Sequence, residues 1–428
     1  MRFTSPNLPV GQSTQVMMMT VRYPGIPTTT DGSGQVVHVE THITEGSAAY
    51  PITPSTSMGV GYGNAYSDGV KNLWGTKLAF LEPESEHSSA SAAEGFAVAG
   101  GRVTNFTSGQ GLILMKEVLY VISGKRLPIV FHIGSRAMTS QSLNVHAGHD
   151  DIMGVSDVGW GIIFARNAQE AGDLALIARK TAEATSTPFF NVQDGFLTTH
   201  TIENTLLCEP EFMKEYIGDP ADYLRNLMDP YHPVMTGVVQ NQDSYMKGKI
   251  AQRYFTDTVK PALLDSMAQF TEATGRPYGL IDCYQMEDAE VCIIGIGSMI
   301  ETTTTVIDDL RAEGRKVGCI HVTCYRPFPG AELAAAVANC KAVAVLERMD
   351  DPMAESNPLT AEFKASLVDA MQGMPGFPTL EKMPTVHSGS YGLGSRDITS
   401  GDIAAIYDLL ESDAVPRYFC IGINHPTA

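Results

Sequence analysis

An alternation of short apolar strands with helical stretches, from Gln35 to about Gly275, constrains this chain more than any other feature. Expected strands are Leu78 to Leu81, Arg102 to Phe106, Ile129 to Ile133, Trp160 to Ala165 and Pro188 to Val192. Gly111 to Ser123 and Ala168 to Ala184 read as helices between them, with small and acidic residues near their starts. Strand–helix alternation at this spacing predicts an α/β fold, a mainly parallel sheet with helices on both faces. Ligands of such sheets sit beyond the C-terminal strand ends. The turns at those ends are the chemically loaded ones: Glu82 to Ser89, Thr107-Ser-Gly-Gln-Gly111, Gly134-Ser-Arg136 and Asp194-Gly-Phe196.

The alternation divides the chain into an arm (residues 1–34), a first domain (35–275), a second, smaller α/β domain (276–415) and a tail (416–428). In the arm, Met17 to Tyr23 reads as a short strand and subunit contact, ended by Pro24, Pro27 and the run Thr28 to Gly34. Cys208 to Thr274 is less periodic and reads as loops and helix wrapping the first domain. The second domain is expected to use Val291 to Gly295, Val317 to Val322 and Ala342 to Leu346 as strands, with Arg417 to Asn424 as a last one. Gly295-Ile-Gly-Ser298 before a helix is half of a dinucleotide fingerprint, so a tight structural turn is expected there.

Charge and cysteine usage remove several function classes. A net charge of −19 opposes nucleic acid or an anionic membrane surface as the main partner. No apolar run approaches the roughly 18 residues of a membrane span, and the opening stretch lacks a signal-peptide pattern, so a cytoplasmic protein is expected. The seven cysteines are scattered with no Cys-x-x-Cys pair, so reduced thiols are expected and no iron–sulfur cluster is expected to be held by this chain alone. His132, His146, His149 and His200 have no i,i+4 pairing, Asp150 and Asp151 read as a helix start, and no protein-held metal is expected.

Three candidate groups remain. Glu82, Glu84 and Glu86 precede the small residues Ser88 to Ala93 and read either as a solvated helix start or as catalytic carboxylates. Arg136 follows an apolar strand, where its planar fork suits either a substrate carboxylate or one of those glutamates. Thr53 stands between Pro51 and Pro54, which fix the local backbone and pre-position its hydroxyl.

Read in order, Tyr50-Pro-Ile-Thr-Pro-Ser55, Ser85-Glu86, Thr107-Ser-Gly-Gln-Gly-Leu-Ile-Leu-Met115, Phe131-His-Ile-Gly-Ser-Arg136, Gly148-His-Asp-Asp151, Asp194-Gly-Phe196, Tyr325-Arg-Pro-Phe328 and Tyr391-Gly-Leu-Gly-Ser395 form one series. It resembles the first two domains of pyruvate:ferredoxin oxidoreductases and their 2-oxoacid relatives, from about Gly34 to Leu410. The resemblance implies a pyrimidine-type thiamine diphosphate-binding domain followed by a transketolase C-terminal-like domain, as in the alpha subunit of such an enzyme. It implies that Glu86 bonds N1′ of the aminopyrimidine and that Tyr50, Pro51 and Ile52 line the cofactor. Thr53, Arg136 and Leu143 then form the substrate pocket, with Thr53 and Arg136 holding the 2-oxoacid.

The implied activity is coenzyme A-dependent oxidative decarboxylation of a 2-oxoacid, or the reverse carboxylation, with electrons passing to clusters. No Gly-Asp-Gly with a downstream Asn and no ferredoxin-type cysteine run is present. A beta-type partner is therefore expected to supply the diphosphate, Mg2+ and [4Fe-4S] half. A gamma-type subunit, a ferredoxin-like subunit, external ferredoxin and a dimer of heteromers complete the expected set. Glu84 and Gln141 depart from the pyruvate pattern, as does His146 where phenylalanine is usual. Pyruvate is the first choice of substrate, with 2-oxoglutarate or a branched or aryl 2-oxoacid as alternatives. A non-catalytic scaffold is the alternative of another class, and the intact Thr53, Glu86 and Arg136 argue against it.

Overall fold

The computed structural model describes residues 21–412 and 416–423. In chain order come β1 (Ile26–Thr30), α1 (Gly32–Ile43), β2 (Gly46–Ala48), α2 (Thr56–Ser67), β3 (Ala79–Leu81), α3 (Glu86–Val98) and β4 (Val103–Thr107). They are followed by α4 (Gly109–Leu114), α5 (Lys116–Gly124), β5 (Val130–Ser135), α6 (Asp150–Met153), β6 (Gly161–Ala165), α7 (Ala168–Thr185), β7 (Phe189–Asp194) and β8 (Glu203–Leu207). The second half adds β9 (Asp282–Tyr284), β10 (Val291–Gly295), β11 (Val317–His321), β12 (Cys324–Arg326), β13 (Ala342–Glu347), β14 (Thr385–Ser390) and β15 (Tyr418–Cys420).

A seven-stranded sheet runs β12-β6-β7-β5-β4-β2-β3, parallel except where β12 pairs antiparallel with β6. A six-stranded sheet runs β15-β14-β13-β10-β11-β9, parallel except for β9. The α/β class with parallel sheets is thus what the periodicity predicts. Strands such as β5 and β7 are buried along their whole length because helices cover both faces. On one face α1 and α7 bury Val36, Val39 and Leu174 against Ile163; on the other, Ala90, Leu119 and Trp160 pack with Phe131. This second cluster continues through Tyr325 to Ile294 and Phe363, so the two sheets share an apolar core.

Two groups of buried charges in the first domain are paired. Arg102 makes a two-pronged bond to Glu183, 2.7 Å on each arm, and Glu40 bridges Arg179 and His132 at 3.2 and 2.9 Å. His132 is therefore a structural residue, with Asn191 on its other nitrogen. No described helix is long and apolar enough to cross a membrane.

Several boundaries differ from the expectation. Val21 to Tyr23 is not a strand, and Met17 to Thr20 lie outside the described residues. The run Thr28 to Thr30, expected to break the arm, instead pairs antiparallel with Glu203 to Thr205 in β8. Asp31 then caps α1 by accepting from the Gly34 amide. Its β-branched threonines suit an extended strand, and the cap residue directly after them gives the chain its turn. The helix expected over Gly111 to Ser123 is two, α4 and α5, broken at Met115. The three-residue β2 is too short to leave a periodic signal.

Candidate active site

Each loop at the C-terminal edge of β2, β3, β4, β5 and β7 contributes to one cluster. After β2 the chain turns through Tyr50 to Ser55, with a cis peptide between Thr53 and Pro54. The Ser55 amide donates to Ser108 Oγ at 3.2 Å and its hydroxyl to the Ile52 carbonyl at 2.8 Å. Pro54 is seated on glycines: a Cβ at Gly195 would lie 2.5 Å from Pro54 Cγ, and one at Gly134 3.2 Å away. That contact locks the Tyr50–Thr53 loop onto β5 and β7.

After β3, Ser85 caps α3 and exchanges bonds with Ser88, a capping box that makes Glu86 the first helical residue. The helix starts here because the cap satisfies amides that would otherwise lack partners. Its thin face, Ser89, Ala90, Ala93 and Ala97, is buried. The Glu86 side chain lies across the bare backbone of Gly111 in α4, where an added Cβ would be 2.6 Å from Glu86 Cγ. Glu86 is half-buried, and no described residue donates a hydrogen bond to its carboxylate. Glu82 and Glu84 are exposed and keep the reading of a solvated helix start.

Arg136 leaves β5 buried, at 6% exposure, and crosses Gly109, where a Cβ would lie 2.9 Å from Arg136 Cδ. Its Nη1 donates to the Thr53 carbonyl at 2.9 Å and its Nε to the Asn144 carbonyl at 3.2 Å. Burial lowers the Arg136 pKa, and the neighbouring Asp151 and Glu86 charges oppose that. Arg136 forms no contact ion pair with Glu82, Glu84 or Glu86 among the described residues, so the second of its two readings is not the arrangement found. Leu143 is 65% exposed on the loop between Arg136 and Asn144. The His146 ring packs tilted against Phe196 at 4.7 Å, and Phe196 stacks on His200 at 4.8 Å.

Asp151 is the residue that sequence reasoning passed over. Its carboxylate is buried and accepts from the Gly109 amide (2.8 Å), the Arg136 amide (3.0 Å), Ser135 Oγ (2.8 Å) and the Ile152 amide (2.7 Å). Burial pushes this carboxyl up to about 6, against the pull of those donors. One side chain thereby ties the start of α4 to the residue that carries the guanidinium. The signal available was Gly148-His-Asp-Asp151 in the motif series, which reads equally as a helix start.

Asp194, at the end of β7, makes a second knot. It accepts from His149 Nε2 at 2.7 Å and from the Ser298 amide and hydroxyl at 3.0 and 2.6 Å, with the Arg348 guanidinium 3.4 Å away. Burial alone would raise its pKa, yet Arg348 and His149 hold it well below the usual carboxylate range. The Gly295–Ser298 turn is thus structural, with Gly297 at φ +79° giving Asp194 its approach. Beside the cluster lies a cavity of about 290 Å³, lined by Tyr50, Pro51, Thr56, Phe80, Glu82 and Phe106.

The arrangement offers a carboxylate with free acceptor oxygens, and a fixed guanidinium whose Nη2 bonds no described residue. An acceptor of that kind fits the protonated ring nitrogen of a heterocycle, and the guanidinium fits a carboxylate. Glu86 and the glycine that makes room for it therefore suit an aminopyrimidine. Among the described residues no group of three or more His, Cys, Asp or Glu side chains is placed to hold a metal ion.

Comparison with known proteins gives consistent findings. A family model described as "Pyruvate flavodoxin/ferredoxin oxidoreductase, thiamine diP-bdg" matches residues 39–267, and one described as "Pyruvate:ferredoxin oxidoreductase core domain II" matches 289–402. A pyruvate-flavodoxin oxidoreductase of Klebsiella pneumoniae is 35% identical over 398 residues, 92% of this chain and 33% of the relative. One of Nostoc sp. is 34% identical over 397 residues, covering 92% of this chain and 96% of the relative. A pyruvate:ferredoxin oxidoreductase of Moorella thermoacetica is 31% identical over 399 residues, 92% of this chain and 33% of the relative. The chain thus spans about a third of the length of the Klebsiella and Moorella relatives. Among solved structures, a 2-oxoglutarate:ferredoxin oxidoreductase of Magnetococcus marinus, with 2-oxoglutarate, coenzyme A and succinyl-CoA bound, shares the fold. Its TM-score is 0.65 at 19% identity, over 90% of this chain and 66% of that one.

Proposed function

The chain belongs to the pyruvate:ferredoxin/flavodoxin oxidoreductase family, and from that premise we propose that it is the alpha-type part of a 2-oxoacid oxidoreductase contributing the pyrimidine half of a thiamine diphosphate site. The proposed reaction is coenzyme A-dependent oxidative decarboxylation, or its reverse, with pyruvate as first substrate and acetyl-CoA and CO2 as products. The observation that carries this reading is the convergence of Thr53 and Arg136, joined by a 2.9 Å bond, with Glu86 close enough for its charge to act on the guanidinium.

Thiamine diphosphate, when bound, supplies the nucleophilic carbon and the electron sink that decarboxylation requires. Glu86 accepts a hydrogen bond from ring atom N1′ and holds a proton there, acting as an acid–base relay. Tyr50, Pro51 and Ile52 form the wall beside that ring. Arg136 takes the substrate carboxylate on its free edge while Thr53 and Asn144 fix the plane of the guanidinium. Such positioning is worth most when the donors are set before the substrate arrives. The Thr53 hydroxyl, which bonds no described residue, faces the 2-oxo group, and Leu143 closes the pocket when substrate is bound.

The diphosphate, Mg2+ and a proximal [4Fe-4S] cluster are assigned to a beta-type partner. A gamma-type subunit and a ferredoxin-like subunit carry the remaining domain and clusters, in a dimer of heteromers that reduces external ferredoxin. His146 stands where phenylalanine is usual, on the loop whose backbone bonds Ala137, the residue after Arg136, at 3.0 Å, and it makes 2-oxoglutarate the second reading.

The test is to purify the chain with its co-occurring subunits and measure coenzyme A-dependent viologen reduction over a panel of 2-oxoacids. Oxidation of pyruvate, or of 2-oxoglutarate on the second reading, is expected. A complex with its cofactor and clusters bound that oxidises none of the panel contradicts the proposal.

A further inference from the structure

The loop Asn144–His149 lies between the two domains and is bonded to both. On the first-domain side, Arg136 Nε donates to the Asn144 carbonyl at 3.2 Å, the Ala137 amide to the His146 carbonyl at 3.0 Å, and Ser135 Oγ to the Gly148 carbonyl at 2.6 Å. On the second-domain side, the Gly394 and Ser395 amides both donate to the Ala147 carbonyl, at 2.8 and 3.2 Å. The Ala147 amide donates to Ser395 Oγ at 3.0 Å, and the His149 amide to the Arg348 carbonyl at 2.9 Å. The loop is held like a strand between two edges, with few backbone groups of its own left to choose another position.

The turn that grips it is unusual. Gly392, Gly394 and Ser395 all have left-handed backbones, φ +59°, +68° and +57°. Serine at such a φ is strained, and a strained turn persists only where its surroundings fix it. Contact is also tight: a Cβ at Gly394 would lie 2.5 Å from Asn144 Nδ2, and that same side chain, through Oδ1, accepts from the His146 amide at 2.7 Å. Gly392 has a comparable role toward Arg348, whose Nη1 would be 2.5 Å from an added Cβ. A side chain at either position would take a left-handed backbone and displace its neighbour, and both glycines face residues that continue directly to Arg136 or to the Asp194 knot.

We propose that the Gly392–Ser395 turn of the second domain is a positioning element of the substrate site. It sets the Asn144–Gly148 loop and, through the Asn144 carbonyl, the plane of the Arg136 guanidinium. Resting on the assignment of Arg136 to the 2-oxoacid carboxylate, this gives the second domain a share in substrate binding through the Asn144–Gly148 loop. A displacement at Gly394 is passed to Arg136 through Asn144, whose side chain meets Gly394 and whose carbonyl accepts from Arg136 Nε.

The test uses the assembled complex with pyruvate, or with 2-oxoglutarate where that is the acid oxidised. In Gly394→Ala, KM for the acid is expected to rise about tenfold with kcat and thiamine diphosphate affinity changed less than about twofold, as for a mispositioned binding group. Amide hydrogen exchange over residues 144–149 should accelerate in the same variant. In an Arg136→Ala background the Gly394 substitution should add nothing to KM. An unchanged KM and exchange rate in Gly394→Ala, or a full KM effect on top of Arg136→Ala, overturns the proposal. Should Gly394→Ala not fold, Ser395→Ala removes only the hydroxyl that accepts from Ala147 and is read by the same two measurements. The function and the positioning fail separately. A wild-type complex inert to every 2-oxoacid sinks the first, and unaltered exchange at 144–149 sinks the second.

Discussion

Asp151 has four hydrogen-bond donors around one carboxylate, so a proton has no place on it without displacing one of them. Its pKa of about 6, raised by burial, puts that conflict just below neutrality. As pH falls through about 6, proton uptake releases the Gly109 or Arg136 amide, and KM for the 2-oxoacid should rise on the acid side. Asp151→Asn, which turns an amide group toward two of the four donors, should raise KM at every pH and flatten that acid limb; a wild-type profile in the variant would remove Asp151 from the site. Arg136→Ala should raise KM by about a hundredfold with a small effect on melting temperature, since it loses a charge-assisted, pre-positioned bond. An unchanged KM counts against its carboxylate role. Glu86 and Arg136 were legible in the sequence because each directly follows a strand or cap in a loaded turn. Asp151 was not, because two adjacent acids at a helix start look alike until the backbone turns one of them inward.

At the scale of elements, the strands of the first sheet were legible from their apolar runs. The short β2, the edge strand β12, the break at Met115 and the strand Ile26–Thr30 were not, being set by tertiary context rather than periodicity. The Gly295–Ser298 turn illustrates how a motif fragment acquires its meaning from a partner: its donors face Asp194 of the other domain. Replacing that carboxylate in Asp194→Asn leaves the Arg348 charge buried without compensation, a loss of about 3–5 kcal/mol when one member of a buried pair is removed. The sign with pH follows from the depressed Asp194 pKa. Its contribution is complete above the ordinary carboxylate value and disappears as pH falls through the lower native one. Calorimetry should therefore show a large drop in melting temperature for the variant at pH 7, narrowing in strong acid. A drop that persists undiminished there would assign the effect to packing instead.

Over the whole molecule, the loaded turns gather at one edge of the first sheet, and the second domain closes behind them through Asp194, Arg348 and the Gly392–Ser395 turn. The proposed assembly brings the diphosphate-binding half of the cofactor site to this edge from another polypeptide, which leaves Glu86 as the chain's own acid–base contribution. The decisive measurement is turnover of the assembled complex carrying Glu86→Gln, with thiamine diphosphate content and melting temperature determined on the same sample. The account predicts that 2-oxoacid oxidation falls by at least about a hundredfold, the loss typical of an acid–base group, while folding and cofactor content stay near wild type. Near-normal turnover in that variant would contradict it.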